Sequence, residues 1–254
     1  MGGKVVLVGA GPGDPGLITV KGLSALRAAD VVVYDRLVPA ELIKDVKPGC
    51  ELIYVGKSPG RHELGQDEIQ RLLVDRARRG LLVVRLKGGD PYTFGRGEEE
   101  CEYVLSQGVD CEVVPGVPSY VGAAAYAGIP LAGRVYGSIM VLATGHVAGS
   151  EAELERYLGR LTEASRFADN VVVLMGASTA GRVLRAIMAA KGPGAPAAAV
   201  MNATTPGQVT ITGSISDLIA SSERGEIRNP AVIVVGRSVL ARGRLWRADA
   251  GRST

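Results

Sequence analysis

Short β-branched runs alternate along this chain with longer segments of helical periodicity, and that alternation leaves few folds open. Runs at 5–8, 31–34, 52–55, 82–86 and 112–114 come first, separated by stretches such as 17–29 and 66–79 that read as helices. This is the rhythm of βαβ units feeding a mainly parallel sheet. After Pro115-Gly-Val-Pro118 the rhythm resumes at 139–144, 171–175, 197–200, 209–212 and 231–235. Two α/β domains are therefore expected, 1–114 and 115–254, with mostly parallel or mixed sheets of about five strands each. In the second half, Thr210-Ile-Thr-Gly-Ser and Pro230-Ala-Val-Ile-Val-Val-Gly alternate with turn signals, and no long helix precedes the former. Some antiparallel pairing is predicted there.

Glycine collects where the strands end. The run 81–86 is apolar enough for a buried parallel strand, and Arg85-Leu-Lys-Gly-Gly-Asp-Pro-Tyr-Thr-Phe-Gly-Arg96 puts bare main chain directly after it. In open α/β sheets ligands bind at that carboxyl end. Val5-Val-Leu-Val-Gly9-Ala-Gly-Pro-Gly-Asp-Pro-Gly16 is again a strand, a glycine-rich turn and a helix start. It resembles a dinucleotide fingerprint, with Asp35 about twenty residues on as the ribose acid. The match is imperfect, because Asp14 takes the last glycine position and would repel phosphate, and Pro12 lacks an N–H donor.

Charge joins glycine at the next two strand ends. Asp35 and Arg36 follow Val31-Val-Val-Tyr34, and Tyr54-Val-Gly-Lys57-Ser-Pro-Gly-Arg61-His62 sets a lysine among glycines. An isolated pair such as Asp35–Arg36 would be read as a cap or a surface ion pair. Three successive strand ends of this kind point instead to a binding crevice. Glu98-Glu-Glu-Cys-Glu102 opens a helix and reads as structural, offsetting the positive end of the helix dipole. Met175-Gly176 and Ala203-Thr-Thr-Pro-Gly-Gln208 give the second half an uncharged lining, suited to an apolar or zwitterionic ligand better than to a polyphosphate. His62 and His146 lack a Ser or Cys partner in a nucleophile motif.

Composition narrows the classes further. A hydrophobic content of 46% over 254 residues excludes global disorder. The net charge of +3 lies mostly in the tail, where Arg237, Arg242, Arg244, Arg247 and Arg252 face Asp249, and reads as a solvated terminus without nucleic-acid binding. Cys50, Cys101 and Cys111 show no metal spacing and are odd in number, so neither a zinc site nor a disulfide framework is indicated and a reducing cytoplasm is expected. The uncharged stretch 113–133 is interrupted by Pro115, Pro118 and Pro130, which argues against a membrane span.

GAGPGDPG at 9–16, VVYDRLV at 32–38, VGK at 55–57, RLKGGDP at 85–91, FGRG at 94–97, VPGV at 114–117, AYAGIP at 125–130 and ATTPGQ at 203–208 together resemble the tetrapyrrole methylases. The likeness runs from about residue 4 to 236, and YDRLV with GGDP and FGRG narrows it to the subgroup acting on uroporphyrinogen III. It implies a homodimer of two α/β domains that binds S-adenosylmethionine, releases S-adenosylhomocysteine, and methylates uroporphyrinogen III at two pyrrole ring carbons. The product, precorrin-2, serves cobalamin or sirohaem synthesis.

Carried over by position, the cofactor contacts fall on Pro12, Gly88, Gly89, Asp90, Thr93, Pro118, Ser119, Met175 and Ala203. Pro118-Ser119 stands where the family commonly has Thr-Ala. The proton acceptor maps to Asp35 and the proton donor to Lys57, and Arg36, Arg61 and Arg96 are expected to meet the substrate's carboxylates. Ser58 replaces the arginine usual after the GK pair. The implied partners are a tetrapyrrole and a second copy of the chain, with no metal, nucleic acid or membrane. Alternatives are a later corrin intermediate, a modified protein residue as in diphthine synthase, an NAD-binding oxidoreductase and a non-catalytic binding module.

Overall fold

The computed structural model describes residues 2–56, 64–146, 149–177 and 179–245. The chain divides into two compact units, 1–119 and 120–254.

In the first unit, β1 (Lys4–Gly9), β2 (Val31–Tyr34), β3 (Glu51–Tyr54), β4 (Leu82–Lys87) and β5 (Asp110–Val114) form one sheet in the order β3-β2-β4-β1-β5. Every pairing is parallel, so all carboxyl ends share one edge. Alternation sorts the side chains into two cores. Val5, Leu7, Val31, Val33 and Val83 face one way, against Ile69, Leu73 and Val74 of the helix at Gln66–Arg78 and Val104 of the helix at Gly97–Ser106. Val6, Val8, Val32, Val84 and Leu86 face the other way, against Leu26 and Leu42. Burying each such side chain is worth about 1.5–3 kcal/mol.

The expected helix at 17–29 is shorter and in two pieces. A single 3₁₀ turn at Pro15–Leu17 precedes a helix at Val20–Ala28, because Thr19 takes an extended conformation and its Oγ1 accepts from the Gly22 amide at 3.1 Å. Helix 66–78 ends within a residue of expectation.

In the second unit, β6 (Met140–Thr144), β7 (Asn170–Leu174), β8 (Pro196–Met201), β9 (Val209–Ser214) and β10 (Ala231–Gly236) form a sheet in the order β6-β7-β10-β8-β9. The expected antiparallel pairing is present: β10 runs against both β7 and β8, and β9 against β8. With β6 and β7 parallel, the carboxyl ends of β6, β7 and β8 lie on one edge. The helices at Glu151–Phe167 and Ile215–Glu223 start at capping boxes, Ser150 with Glu153 and Ser214 with Asp217.

Cys101 and Cys111 are joined by a disulfide and Cys50 is free, which corrects the expectation that no disulfide is present. Helix 97–106 turns straight into β5, and that short return brings the two Cα atoms within 5.7 Å. Among the described residues no helix is long and apolar enough to cross a membrane, and no group of three or more metal-ligating side chains occurs.

Candidate functional site

At the carboxyl edge of the first sheet the motif loops are clasped together main chain to main chain. Gly11 and Gly89 form an antiparallel bridge, the Gly11 amide donating to the Gly89 carbonyl at 3.2 Å and the Gly89 amide to the Gly11 carbonyl at 2.7 Å. The Ala10 amide donates to the Lys87 carbonyl at 2.8 Å. A Cβ on Gly116 would lie 2.3 Å from the Gly89 carbonyl oxygen, and one on Gly9 would lie 2.5 Å from the Gly116 nitrogen. Only glycine allows these backbones to meet.

Asp90 secures the arrangement. Its Oδ1 accepts from the Gly116 amide at 3.2 Å, and its Oδ2 accepts from the Tyr92 amide at 3.1 Å and the Thr93 hydroxyl at 2.9 Å. Of the residues expected at the cofactor, Gly88, Gly89, Asp90 and Thr93 thus share one loop, and Ser119 N and Oγ stand 3.5 Å from where a Cβ on Gly89 would be. Pro118 is within 4.0 Å of the same point, and Pro12 follows the bridged Gly11. Asp14 does not face an open anion site: it caps the 3₁₀ turn, accepting from the Gly16 amide at 2.8 Å.

Asp35 directly follows β2, with Oδ1 accepting from the Leu37 amide at 3.0 Å and Oδ2 3.5 Å from Arg85 Nη2. Sequence reasoning missed what lies behind it. Arg85 and Lys87 alternate on one face of β4 and both are buried, as is Glu100, which is 0% exposed. Glu100 accepts from Lys87 Nζ on both oxygens at 2.9 Å, from Arg85 Nε at 3.3 Å and from Gln66 Nε2 at 3.1 Å. The reading of 98–102 as helix-dipole charge suits exposed Glu98 and Glu99, but Glu100 turns inward. Burial, and then the neighbouring Arg85, pull the Lys87 ammonium below its ordinary pKa. The available signal was a buried strand with two cations at i and i+2, which demands buried carboxylates.

Arg36 is exposed beside Asp35. Arg96 sits at φ 59°, heading helix 97–106, and forks onto Glu99 at 2.9 and 2.8 Å, a pair that raises its pKa further. Lys57, Ser58, Arg61 and His62 lie outside the described residues.

In the second unit, Met175 follows β7 at φ 54° and is 43% exposed, while Ala203 follows β8 and is buried between Asn202 at φ 45° and Thr204 at φ 65°. Left-handed non-glycine residues are uncommon and cluster at functional sites. Among the described residues they are Phe94, Arg96, Met175, Asn202 and Thr204, all in loops after β4, β7 or β8. Gln208 ties two motif loops together, its Oε1 accepting from the Thr204 amide at 2.8 Å and its Nε2 donating to the Tyr126 carbonyl at 3.0 Å. The β6 and β7 ends also meet at glycine, since a Cβ on Gly145 would lie 2.3 Å from the Gly176 Cα.

Two α/β units with glycine-clasped strand ends and left-handed residues in the loops that follow them have the architecture of a ligand-binding α/β protein. The family model "Tetrapyrrole (Corrin/Porphyrin) Methylases" matches residues 4–219. Uroporphyrinogen-III C-methyltransferase of Methanocaldococcus jannaschii is 43% identical over 241 residues, covering 94% of this chain and 98% of that one. The crystal structure of uroporphyrin-III C-methyl transferase from Thermus thermophilus complexed with S-adenyl homocysteine superposes with a TM-score of 0.78 at 36% identity, covering 94% and 99%. That of the cobalamin biosynthetic enzyme cobalt precorrin-4 methyltransferase gives 0.79 at 32%, covering 93% and 95%. This chain belongs to the tetrapyrrole methylases.

Proposed function

We propose that the chain is an S-adenosylmethionine-dependent methyltransferase that methylates uroporphyrinogen III at two pyrrole ring carbons, giving precorrin-2 for cobalamin or sirohaem synthesis. One observation carries this over a nucleotide-binding alternative. The amides of Ala10, Gly11, Gly16, Gly89 and Gly116, which a pyrophosphate would need, already donate within the protein. Gly88, Asp90 and Gly116 are half-buried at the carboxyl edge of the first sheet, and a carboxylate among small residues suits a ligand carrying ammonium and sulfonium charge.

When bound, S-adenosylmethionine supplies an electrophilic methyl group. In this reading the residues that contact it are Pro12, Gly88, Gly89, Asp90, Thr93, Pro118, Ser119, Met175 and Ala203. Methionine's soft thioether suits an adenine face. Asp35 stabilises the cationic charge that develops on the tetrapyrrole and accepts the departing ring proton, and Lys57 is the proton donor. Arg36, Arg61 and Arg96 meet the substrate's carboxylates. The protein acts as a cytoplasmic homodimer. A later corrin intermediate is the second reading, supported by the likeness to the cobalt precorrin-4 enzyme.

Titration calorimetry with S-adenosylhomocysteine and with NAD tests the class. Saturable binding of the first and none of the second is expected; the reverse would overturn the proposal.

A further inference from the structure

Asp35 sits at the outer end of a row of charge that the reaction as described does not use. β2 and β4 pair with Val33 opposite Arg85, so Asp35, two residues beyond Val33, falls on the same face as Arg85 and Lys87. Arg85 is 4% exposed and each terminal nitrogen has a fixed role. Nε points at Glu100 Oε1 at 3.3 Å, and Nη1 donates to the Val33 and Leu86 carbonyls at 3.4 and 3.2 Å. These contacts set the guanidinium plane and leave Nη2 aimed at Asp35 Oδ2, 3.5 Å away. The Leu37 amide holds the other carboxylate oxygen at 3.0 Å.

The charges balance only if Asp35 is included. Arg85 and Lys87 bring two cations into the interior, and Glu100, gripped by Lys87 on both oxygens, supplies one carboxylate. The second is Asp35, whose side chain is 30% exposed while that of Arg85 is 5% exposed. A buried ion pair gives little net stability over apolar packing, so stability alone does not account for this cluster. It reaches out to a carboxylate at a strand's carboxyl end.

We propose that Arg85 is the positioning residue of Asp35, held by Glu100 and Lys87 so that the Asp35 carboxylate keeps one orientation at the sheet edge. The proposal rests on the reading that Asp35 acts in methyl transfer. Arginine is required because its planar fork reaches Glu100 and Asp35 at once, which a lysine ammonium cannot do.

A double-mutant cycle in the full chain tests it, using Arg85→Met, Asp35→Asn and the two combined. Arg85→Met leaves Glu100 paired with Lys87, so no buried charge loses its only partner. Turnover of uroporphyrinogen III, KM values, S-adenosylhomocysteine affinity by calorimetry and the thermal midpoint are read for each. Arg85→Met is expected to lower kcat by about ten- to a hundredfold, as a small misplacement of a reacting group does. Affinity for S-adenosylhomocysteine should stay within about twofold, and adding Arg85→Met to Asp35→Asn should cost less than about twofold more in kcat. Arg85→Lys should fall between wild type and Arg85→Met, and it replaces Arg85→Met in the cycle if that variant does not fold. Multiplying losses, or wild-type kcat in Arg85→Met, would overturn the positioning role while leaving the Asp35 reading intact. Wild-type kcat in Asp35→Asn would remove the Asp35 reading and the positioning role together.

Discussion

Replacing Gly116 with alanine tests the clasp between the motif loops. The new Cβ would lie 2.3 Å from the Gly89 carbonyl oxygen and 2.8 Å from the Gly9 Cα and carbonyl carbon, where ordinary contact begins at 3.4 Å. All three are backbone atoms, so no flexible side chain can swing aside, and the loops must part by about 1 Å. Overpacking of this kind costs about 1–3 kcal/mol, which a two-core α/β unit survives. The local cost is greater, because the Gly116 amide also holds Asp90 Oδ1 and the shift carries the 88–93 loop with it. A misplacement of about 1 Å can lower function about a hundredfold. The expected result is a folded protein by circular dichroism, with a lowered urea midpoint and S-adenosylhomocysteine affinity weakened at least about tenfold, or 1.4 kcal/mol. An unchanged dissociation constant would refute the view that close backbone approach shapes the cofactor site.

Gly159 is the opposite case, exposed within helix 151–167 with nothing within 4 Å of an added methyl, so Gly159→Ala should add about 0.5–1 kcal/mol and raise the urea midpoint; a lower midpoint would contradict this. Reducing Cys101–Cys111, which closes a loop of sequence separation 10, should cost about 3 kcal/mol on chain entropy, and identical denaturation curves with and without dithiothreitol would count against it. The Asp30 carboxyl is held below its ordinary range, first by the hydrogen bond from Lys47 and then by that from the Leu82 amide. Its depressed folded pKa means that this stabilisation is complete above about pH 4 and lost as pH falls through the folded value. Asp30→Asn should therefore be less stable than wild type at pH 6, with the gap narrowing as pH falls below about 4, and a constant gap would contradict the assignment.

Much of the fold is legible in the sequence because β-branching and period mark strands even when their order is hidden. Val5–Val8 and Val31–Val33 alternate between two buried faces, so each residue reads as apolar whichever way it points. The antiparallel pairing around β10 was signalled by short strands lying between turns. Strand order was not, because β4 inserts between β1 and β2 through contacts far apart in the chain. The clasp was legible where glycine was the signal, as at Gly9 and Gly116, whose contacts leave no room for a side chain, and at Gly11 and Gly89, which sit at φ 80° and 69°. It was obscured where charge was the signal. Arg85 and Lys87 look like loop cations and Glu100 looks like one more acid at a helix start, and only the register of β2 on β4 shows that they meet. Cys101 and Cys111 likewise meet only because helix 97–106 folds directly back into β5. Asp90 was expected as a ligand acceptor; what its hydrogen bonds show is that it organises its own loop.

The most direct test is an anaerobic reaction of the purified chain with uroporphyrinogen III and S-adenosylmethionine, following the product by mass and absorbance. Two added methyl groups are predicted. Binding of S-adenosylmethionine without any methylation of uroporphyrinogen III would contradict the proposed substrate while leaving the family intact.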